Sequence, residues 1–370
     1  MEQNAHISQP VAAVTPLERP RRRSETPREV VAVAPLRVDL TGGFTDIPPF
    51  SMLIESVHIN AAIDRSVTVR CRARPDRQID IRFAGEAGDL SMQAAGRRRF
   101  AAAVQAGVAE FAARQGFDLS IESDAPAGSG LGSSGAILVA AISGCAKLAG
   151  VEIESQSIAE RAICAARAIG IIGGRQDEFA AAYGSLRAYL FHPNGTARTL
   201  DLTSSDACRH LEEALFVVQM TAAGRSSDIV ADVVANVRAG RRDTIETLHR
   251  LQALSEDLLK LFQAGQINEL ARNMRCIREA QEALHQQLCC PLAAAAMNAI
   301  RRDLGELEYK ALGGGGSGAC LLVHVPSERK SRALSLLRRH AVRVFEVKVR
   351  ARGAFAEFET RGADTCADDR

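Results

Sequence analysis

The sequence predicts an α+β fold in two halves, and three observations carry that prediction. The chain has 370 residues, enough for two domains at about 150 residues each. Alternating apolar and polar segments are mixed with segments of helical period in an irregular order, unlike a regular β-α-β succession. A hydrophobic fraction of 46% and a charged fraction of 24% are globular values, which sets aside collagen-like, coiled-coil and wholly disordered chains. A chain of this length buries roughly three quarters of the surface it exposes when unfolded, so its core needs no staples.

The elements follow in order. Residues 1–29 are polar, broken by proline and carry Arg21-Arg22-Arg23, the marks of a disordered leader. Order is expected from Val30 to Ala34, a β-branched run ending at Pro35. Residues 59–71 and 78–83 alternate as strands, 98–115 have helical spacing, and 117–123 form another strand. A Gly/Ser loop leads into a small-residue helix reaching about Leu148, and a second helix covers 158–168. Strands return at 185–191 and 215–220. From Asp243 to Leu288 the spacing of Ile245, Leu248, Leu251, Leu258 and Phe262, then of Ile267, Leu270, Met274, Ile277 and Leu284, predicts two helical arms broken at Gly265. The glycine cluster 313–316 precedes a strand at 319–325, a helix at 329–340 and a last strand at 342–350. The halves are expected to divide near Ser204-Ser205-Asp206, giving domains over 30–204 and 205–360 with a frayed tail at 361–370.

Charge narrows the function. Forty-six Lys and Arg against 44 Asp and Glu leave +2, too balanced to argue for nucleic acid or an anionic membrane. With 4% aromatics and no Trp a base-stacking platform is disfavoured as well. No apolar run approaches the ~18 residues of a membrane span, and the N-terminus lacks the apolar core of a secretory signal. The expected setting is the cytoplasm. The cysteines, at 71, 145, 164, 208, 276, 289, 290, 320 and 366, are odd in number and form no C-x-x-C pair, a poor framework for disulfides or zinc. His285 near Cys289 and Cys290 is read as a solvated helix position.

The segment from Pro126 to Gly135, PAGSGLGSSG, carries the most chemistry. Glycines let the backbone approach an anion and adopt positive φ. The helix that follows offers free N–H groups and the positive end of its dipole, and the hydroxyls of Ser133 and Ser134 can donate to phosphate or ligate Mg²⁺. No lysine follows the last glycine, so this is not a Walker A loop. Gly130 to Gly135 formally satisfies G-x-G-x-x-G, with Glu152 and Glu154 near the distance for a ribose contact. The strand before it alternates, however, where a central parallel strand would be continuously apolar. The serine elbow G-x-S-x-G is missing. A phosphate cradle is preferred over these and over a purely structural turn.

PAGSGLGSSGA resembles the central phosphate-binding motif of the galactokinase, homoserine kinase, mevalonate kinase and phosphomevalonate kinase (GHMP) superfamily. Three more segments fall in its order. Residues 35–50, PLRVDLTGGFTDIPPF, are similar to the N-terminal motif of the sugar-kinase branch. Residues 173–184, GGRQDEFAAAYG, are similar to the stretch bearing the catalytic aspartate, and residues 310–320, KALGGGGSGAC, to the C-terminal glycine motif. The branch they resemble is that of the heptose-phosphate and fucose kinases.

The resemblance implies a two-domain GHMP-kinase-like fold with its site in the cleft between halves, and an ATP- and Mg²⁺-dependent kinase acting on a sugar, sugar phosphate or cyclitol hydroxyl. It assigns ATP to Pro126, Gly128, Ser129, Gly130, Leu131, Gly132, Ser133 and Ser134, with Ser134 on Mg²⁺. Asp177, which alone would read as a capping or surface aspartate, becomes the base that takes the hydroxyl proton. Arg37 lowers the pKa of that hydroxyl or steadies the transferring phosphoryl. Thr45 and Asp46 hold sugar hydroxyls, and Gly43, Gly174, Gly314 and Gly315 line the substrate, the tetraglycine closing over the site from the second half. Arg65, Arg187 and Arg225 are candidates for a phosphate already on the substrate, each otherwise a surface arginine. Two departures from the pattern stand out. The family's second Mg²⁺-binding glutamate falls where this chain has Ala165, Ala166 and Arg167, with Glu160 a turn too early, and Glu178 is expected to add negative charge beside the base. A weakened relative that senses nucleotide or sugar is the alternative.

Overall fold

The computed structural model describes residues 29–84, 94–113, 115–125, 128–220, 226–316 and 320–359. The expected leader up to residue 28, the tail, Pro126 and Arg225 lie outside the described residues. The elements in chain order are β1 (Glu29–Asp39), β2 (Ser56–Arg74), β3 (Ile79–Phe83), α1 (Ala94–Val108), β4 (Gly116–Ser123), α2 (Ser133–Ala149), α3 (Ser155–Ala168), α4 (Gln176–Tyr183), β5 (Leu186–Phe191) and β6 (Ala197–Asp201). They continue with α5 (Ser205–Ala214), β7 (Leu215–Gln219), α6 (Ser226–Arg238), α7 (Arg242–Gln263), α8 (Leu270–Leu284), α9 (Pro291–Leu304), β8 (Glu308–Ala311), β9 (Cys320–His324), α10 (Lys330–His340), β10 (Arg343–Glu346) and β11 (Phe355–Phe358).

The first sheet has the order β11-β1-β2-β4-β3, and β2 is long enough to carry two partners on one edge. Its second half pairs with β4 and its first half with β5, while β1 runs antiparallel along the other edge. β3 and β4 are parallel, so α1 is their crossover. β1 does not stop at Pro35 as expected. It runs through the proline, and the register shifts between Pro35 and Arg37. Such an irregularity accommodates a residue that has no N–H to give to the ladder. Beyond it the Arg37 N–H leaves the sheet for the Leu131 carbonyl, 3.1 Å away.

Helix α2 is buried on nearly every side from Gly135 to Ala146, as a helix apolar all round must be. Its small residues set how close it lies. A Cβ on Gly144 would sit 3.0 Å from the Ala32 Cβ and against the Cys71 sulfur.

The second sheet, β10-β7-β9-β8, is antiparallel. Leu215, Val217, Cys320 and Leu322 belong to the core of the first sheet, whereas Phe216, Val218, Leu321 and Val323 join a second core with Met297, Ile300 and Leu337. Covered on both faces, β7 and β9 read as continuous apolar runs. A third cluster packs Phe44 and Phe50 against Leu248, Leu251, Ile277 and Leu284 of α7 and α8, which seats the 42–50 loop on the second half.

Several short elements have no counterpart in the expected pattern: α4, β6, α5, α6, α9, β8 and β11. Ser204, expected at a domain boundary, caps α5 by accepting the Ala207 N–H at 3.1 Å. The helix expected to reach Gln115 ends at Val108, followed by a 3₁₀ turn at Phe111–Ala113. The last expected strand shortens to β10 because the chain turns back: Arg350 N–H donates to the Ala62 carbonyl at 2.8 Å, and β11 then pairs with β1.

Candidate functional site

Three chain segments converge where β1 ends. Arg37 emerges from the register shift in β1, Asp177 stands in the first turn of α4, and the loop 128–132 leads into α2. Arg37 Nε and Nη2 both donate to Asp177 Oδ1, at 3.0 and 2.6 Å, and Nη1 donates to the Gly130 carbonyl. The Arg37 side chain is 3% exposed and that of Asp177 34%. Burial opposes the Arg37 charge, but Asp177 and then Asp39 outweigh it and raise the guanidinium pKa. The approach depends on missing side chains. A Cβ on Gly135 would lie 3.0 Å from the Asp177 Cβ, and one on Gly132 3.2 Å from Arg37 Cγ.

The loop has the form of an anion cradle. Gly128, Gly130 and Gly132 have φ of 72°, 79° and 77°, and Gly132 caps α2 with no side chain closing the helix end. The first-turn N–H groups of α2 are left for a ligand. Ser134 is exposed, and the Ser133 and Ser129 hydroxyls are buried with no hydrogen-bond partner among the described residues. The C-terminal glycine motif backs this loop directly. Cys320 N–H donates to the Ser129 carbonyl at 2.8 Å, Gly130 Cα lies against Gly313, and Leu131 is fully buried beneath them. Gly315 packs on Leu288, and Gly314 is half-buried beside it.

Asp46 and Thr45 lie beside the start of α4, each 1% exposed. Asp46 Oδ2 accepts the backbone N–H groups of Arg175 and Gln176 at 2.6 and 3.0 Å, so it caps α4 from a distant loop. Its other oxygen is 3.6 Å from His58 Nε2, which also meets the Thr45 hydroxyl at 3.1 Å. Gly174 leaves the room that this carboxylate fills. Gly43, at φ 71°, faces Asp39 and Gln176.

Residues that sequence reasoning left without a role complete the frame. Asn60 Nδ2 donates to Gln176 Oε1 at 3.1 Å. The fully buried Lys310 donates to the Asp39 carbonyl at 2.7 Å and stands 3.7 Å from its carboxylate. Burial lowers the Lys310 pKa and Arg37 adds to this, with Asp39 opposing. Gln281 joins the Gly42 and Ala311 carbonyls, each at 3.2 Å. The available signal was Ser56, His58 and Asn60, polar residues at every second position among the apolar residues of the first half of β2.

The negative charge expected of Glu178 beside Asp177 is opposed by its surroundings: burial, and then Asp177 and Asp46, push its carboxyl up to about 8. Ala165 and Ala166 are buried in α3 and Arg167 is exposed at its last turn. Arg65 lies over the Phe345 ring and Arg187 pairs with Asp201 at 2.8 Å, so both cations have partners away from Asp177. No group of three metal-ligating side chains occurs among the described residues, and none of their helices is long and apolar enough to cross a membrane. The oxygen donors that are present, Ser133, Ser134 and Asp177, suit a hard cation that keeps waters and shares phosphate oxygens. The unpartnered Ser133 hydroxyl beside an uncapped helix start fits the phosphates themselves.

Comparison with known proteins points the same way. Residues 98–185 match the family described as GHMP kinases N terminal domain. The chain is 24% identical over 349 residues to a bifunctional fucokinase/GDP-fucose pyrophosphorylase of Arabidopsis thaliana, covering 87% of this chain and 32% of that protein. It is 26% identical over 246 residues to the D-glycero-alpha-D-manno-heptose 7-phosphate kinase of Campylobacter jejuni, covering 62% of this chain and 69% of the kinase. The crystal structure of a D-glycero-D-manno-heptose 1-phosphate kinase from Bacteroides thetaiotaomicron superposes with a TM-score of 0.70 at 20% identity, over 90% of this chain and all of that one.

Proposed function

We propose, from the match of residues 98–185 to the GHMP kinases N terminal domain and the likeness of the fold to a heptose-phosphate kinase, an ATP-dependent phosphotransferase whose acceptor is a hydroxyl of a sugar, sugar phosphate or cyclitol. The observation that carries the proposal is the Arg37–Asp177 pair held against an uncapped glycine-rich helix start. Phosphoryl transfer asks a protein mainly to position reactants and stabilise charge, and these two features supply both.

In this reading the N–H groups at the start of α2, with Ser133, receive the nucleotide phosphates. Ser134, with the phosphates and water, would hold Mg²⁺, which when bound neutralises developing phosphate charge. Arg37 holds Asp177 through a single oxygen, Oδ1. The second oxygen is left to accept the proton of the attacking hydroxyl, a contribution of roughly 10²–10⁴ in rate. The guanidinium, fixed also by the Gly130 carbonyl, faces the transferring group. Gly43, Thr45 and Gly174 on one flank and Gly314 and Gly315 on the other would border the acceptor.

The test is ADP release with Mg-ATP against free and phosphorylated hexoses, heptoses and cyclitols, fucose and heptose 7-phosphate among them. Turnover on one acceptor that Asp177→Asn abolishes would bear out the proposal. Mg-ATP binding with no turnover on any acceptor would favour a nucleotide sensor, and absence of ATP binding would overturn the reading.

A further inference from the structure

The acidic residue of the N-terminal glycine motif is engaged with a helix. Asp46 Oδ2 accepts two consecutive backbone N–H groups, from Arg175 at 2.6 Å and Gln176 at 3.0 Å. These belong to the N-cap and first residue of α4, whose own N-cap side chain makes no capping bond. The residue that follows is Asp177. Gly174 is bare where the carboxylate sits, so a Cβ there would overlap it. A second tether reaches the same turn, since Asn60, fully buried in β2, donates to the Gln176 side chain at 3.1 Å. His58, also fully buried, stands 3.6 Å from Asp46 Oδ1 and holds the neighbouring Thr45 hydroxyl at 3.1 Å.

We propose that Asp46 is a positioning residue, capping α4 across 129 residues of sequence and so fixing Asp177 against Arg37, with Asn60 as its second anchor. A helix N-terminus satisfied by a carboxylate gains both from hydrogen bonding and from the dipole. Here the gain goes to the turn that carries the proposed base. Oδ2 already accepts two hydrogen bonds, so the oxygen that tethers the helix is not one left for an acceptor hydroxyl. The inference rests on the kinase reading for its catalytic consequence, though not for the tether itself.

Asp46→Asn keeps an oxygen that can accept both N–H groups, and Asp46→Ala keeps none. In the full-length protein, backbone hydrogen exchange over residues 174–183 should rise at least about 10-fold in Asp46→Ala and stay near wild type in Asp46→Asn. Turnover of whichever acceptor the wild type phosphorylates should follow the same split. For Asp46→Ala, kcat should fall about 100-fold, as a misplacement of about 1 Å allows, with the acceptor KM within a few-fold. For Asp46→Asn, kcat should stay within about 10-fold of wild type. Unchanged exchange in Asp46→Ala would overturn the tether, and so would a large rise in acceptor KM at preserved kcat, which marks a substrate ligand. If Asp46→Ala does not fold, Asn60→Ala replaces it, with the same exchange and kcat/KM outcomes expected at smaller amplitude. If the wild type phosphorylates nothing, the kinase reading fails by itself and the exchange comparison still decides the tether.

Discussion

The first sheet uses arginine in two ways. On the outer face of β2, Arg70, Arg72 and Arg74 meet Glu359, Glu29, Asp76 and Asp118 at 2.5 to 2.9 Å, with arginine side chains 25 to 64% exposed. At the buried end of β1, Arg37 meets Asp177 at 2.6 Å with 3% exposed. The distances are the same, so distance does not rank these pairs. Desolvation does: a solvated pair exchanges water for a partner at almost no gain, whereas a buried guanidinium depends on its partner. The acids show the same contrast. Asp76, hydrogen-bonded by Arg74 at the surface, is pulled down to about 2, while Glu178, buried beside Asp177 and Asp46, is pushed up to about 8.

The largest effect should come from breaking the buried pair. Asp177→Asn is expected to lower turnover by about 10²–10⁴-fold while ATP affinity changes little. Asp177→Ala adds a stability loss, because Arg37 stays buried without its carboxylate. Removing one member of a buried pair costs about 3–5 kcal/mol, and the partial exposure of Asp177 puts this case at the lower end. Steady-state kinetics and thermal melting separate the two effects, and an Asp177→Asn enzyme turning over at the wild-type rate would remove Asp177 from the mechanism.

Next in size is the contact between the two glycine motifs. Gly130 and Gly150 both hold left-handed backbone, φ 79° and 74°. A Cβ on Gly130 would overlap the Leu312 carbonyl, whereas one on Gly150 meets nothing within 4 Å. Gly150→Ala should therefore lose only the conformational term, roughly 1–2 kcal/mol. Gly130→Ala should lose more and also weaken ATP binding, because the loop must move off the 313–316 segment. Equal losses of Tm in the two variants would show that the packing of the motifs contributes nothing.

How far the sequence foretold this site follows from the range over which each signal acts. The loop 128–135 is legible from its own glycines, whereas Arg37 and Asp177 gain their roles only through the resemblance of their segments, and the fold brings these two together as a pair. Asn60, Gln281 and Lys310 act through partners 116, 239 and 271 residues away, and no local pattern reports such a partner. The same holds for structure. α2 and the α7–α8 arms are long and periodic enough to be read, whereas β11, four residues long, exists as a strand because β1 offers it an edge. Glu178 illustrates the same limit of range: burial, which the sequence does not display, raises its pKa.

That raised pKa gives a pH test of smaller amplitude. With its pKa raised on folding from near 4.3 to about 8, Glu178 holds a proton in the folded chain that the unfolded chain has released across this window. Its contribution to stability is therefore fully present below about 4 and lost as pH rises toward 8. Glu178→Gln keeps the hydrogen-bonding shape and cannot ionise. The stability of this variant relative to wild type should grow from pH 5 to pH 8 and then level off. A difference independent of pH would mean that the carboxyl is ionised in the folded protein at pH 7.

The smallest effect belongs to the outer face. Asp76, with its pKa lowered on folding, adds stability above the usual carboxylate range and loses it as pH falls toward 2. Both it and Arg74 are solvated enough for water and salt to screen the interaction. Arg74→Ala should leave Tm and turnover unchanged at neutral pH and moderate salt, even though Arg74 makes more hydrogen bonds to carboxylates than Arg37 does. A fall in Tm matching that of Asp177→Ala would mean that the number of bonds, and not burial, ranks arginine pairs on this sheet. A fall in turnover at unchanged Tm would instead tie this outer face to the site across the sheet.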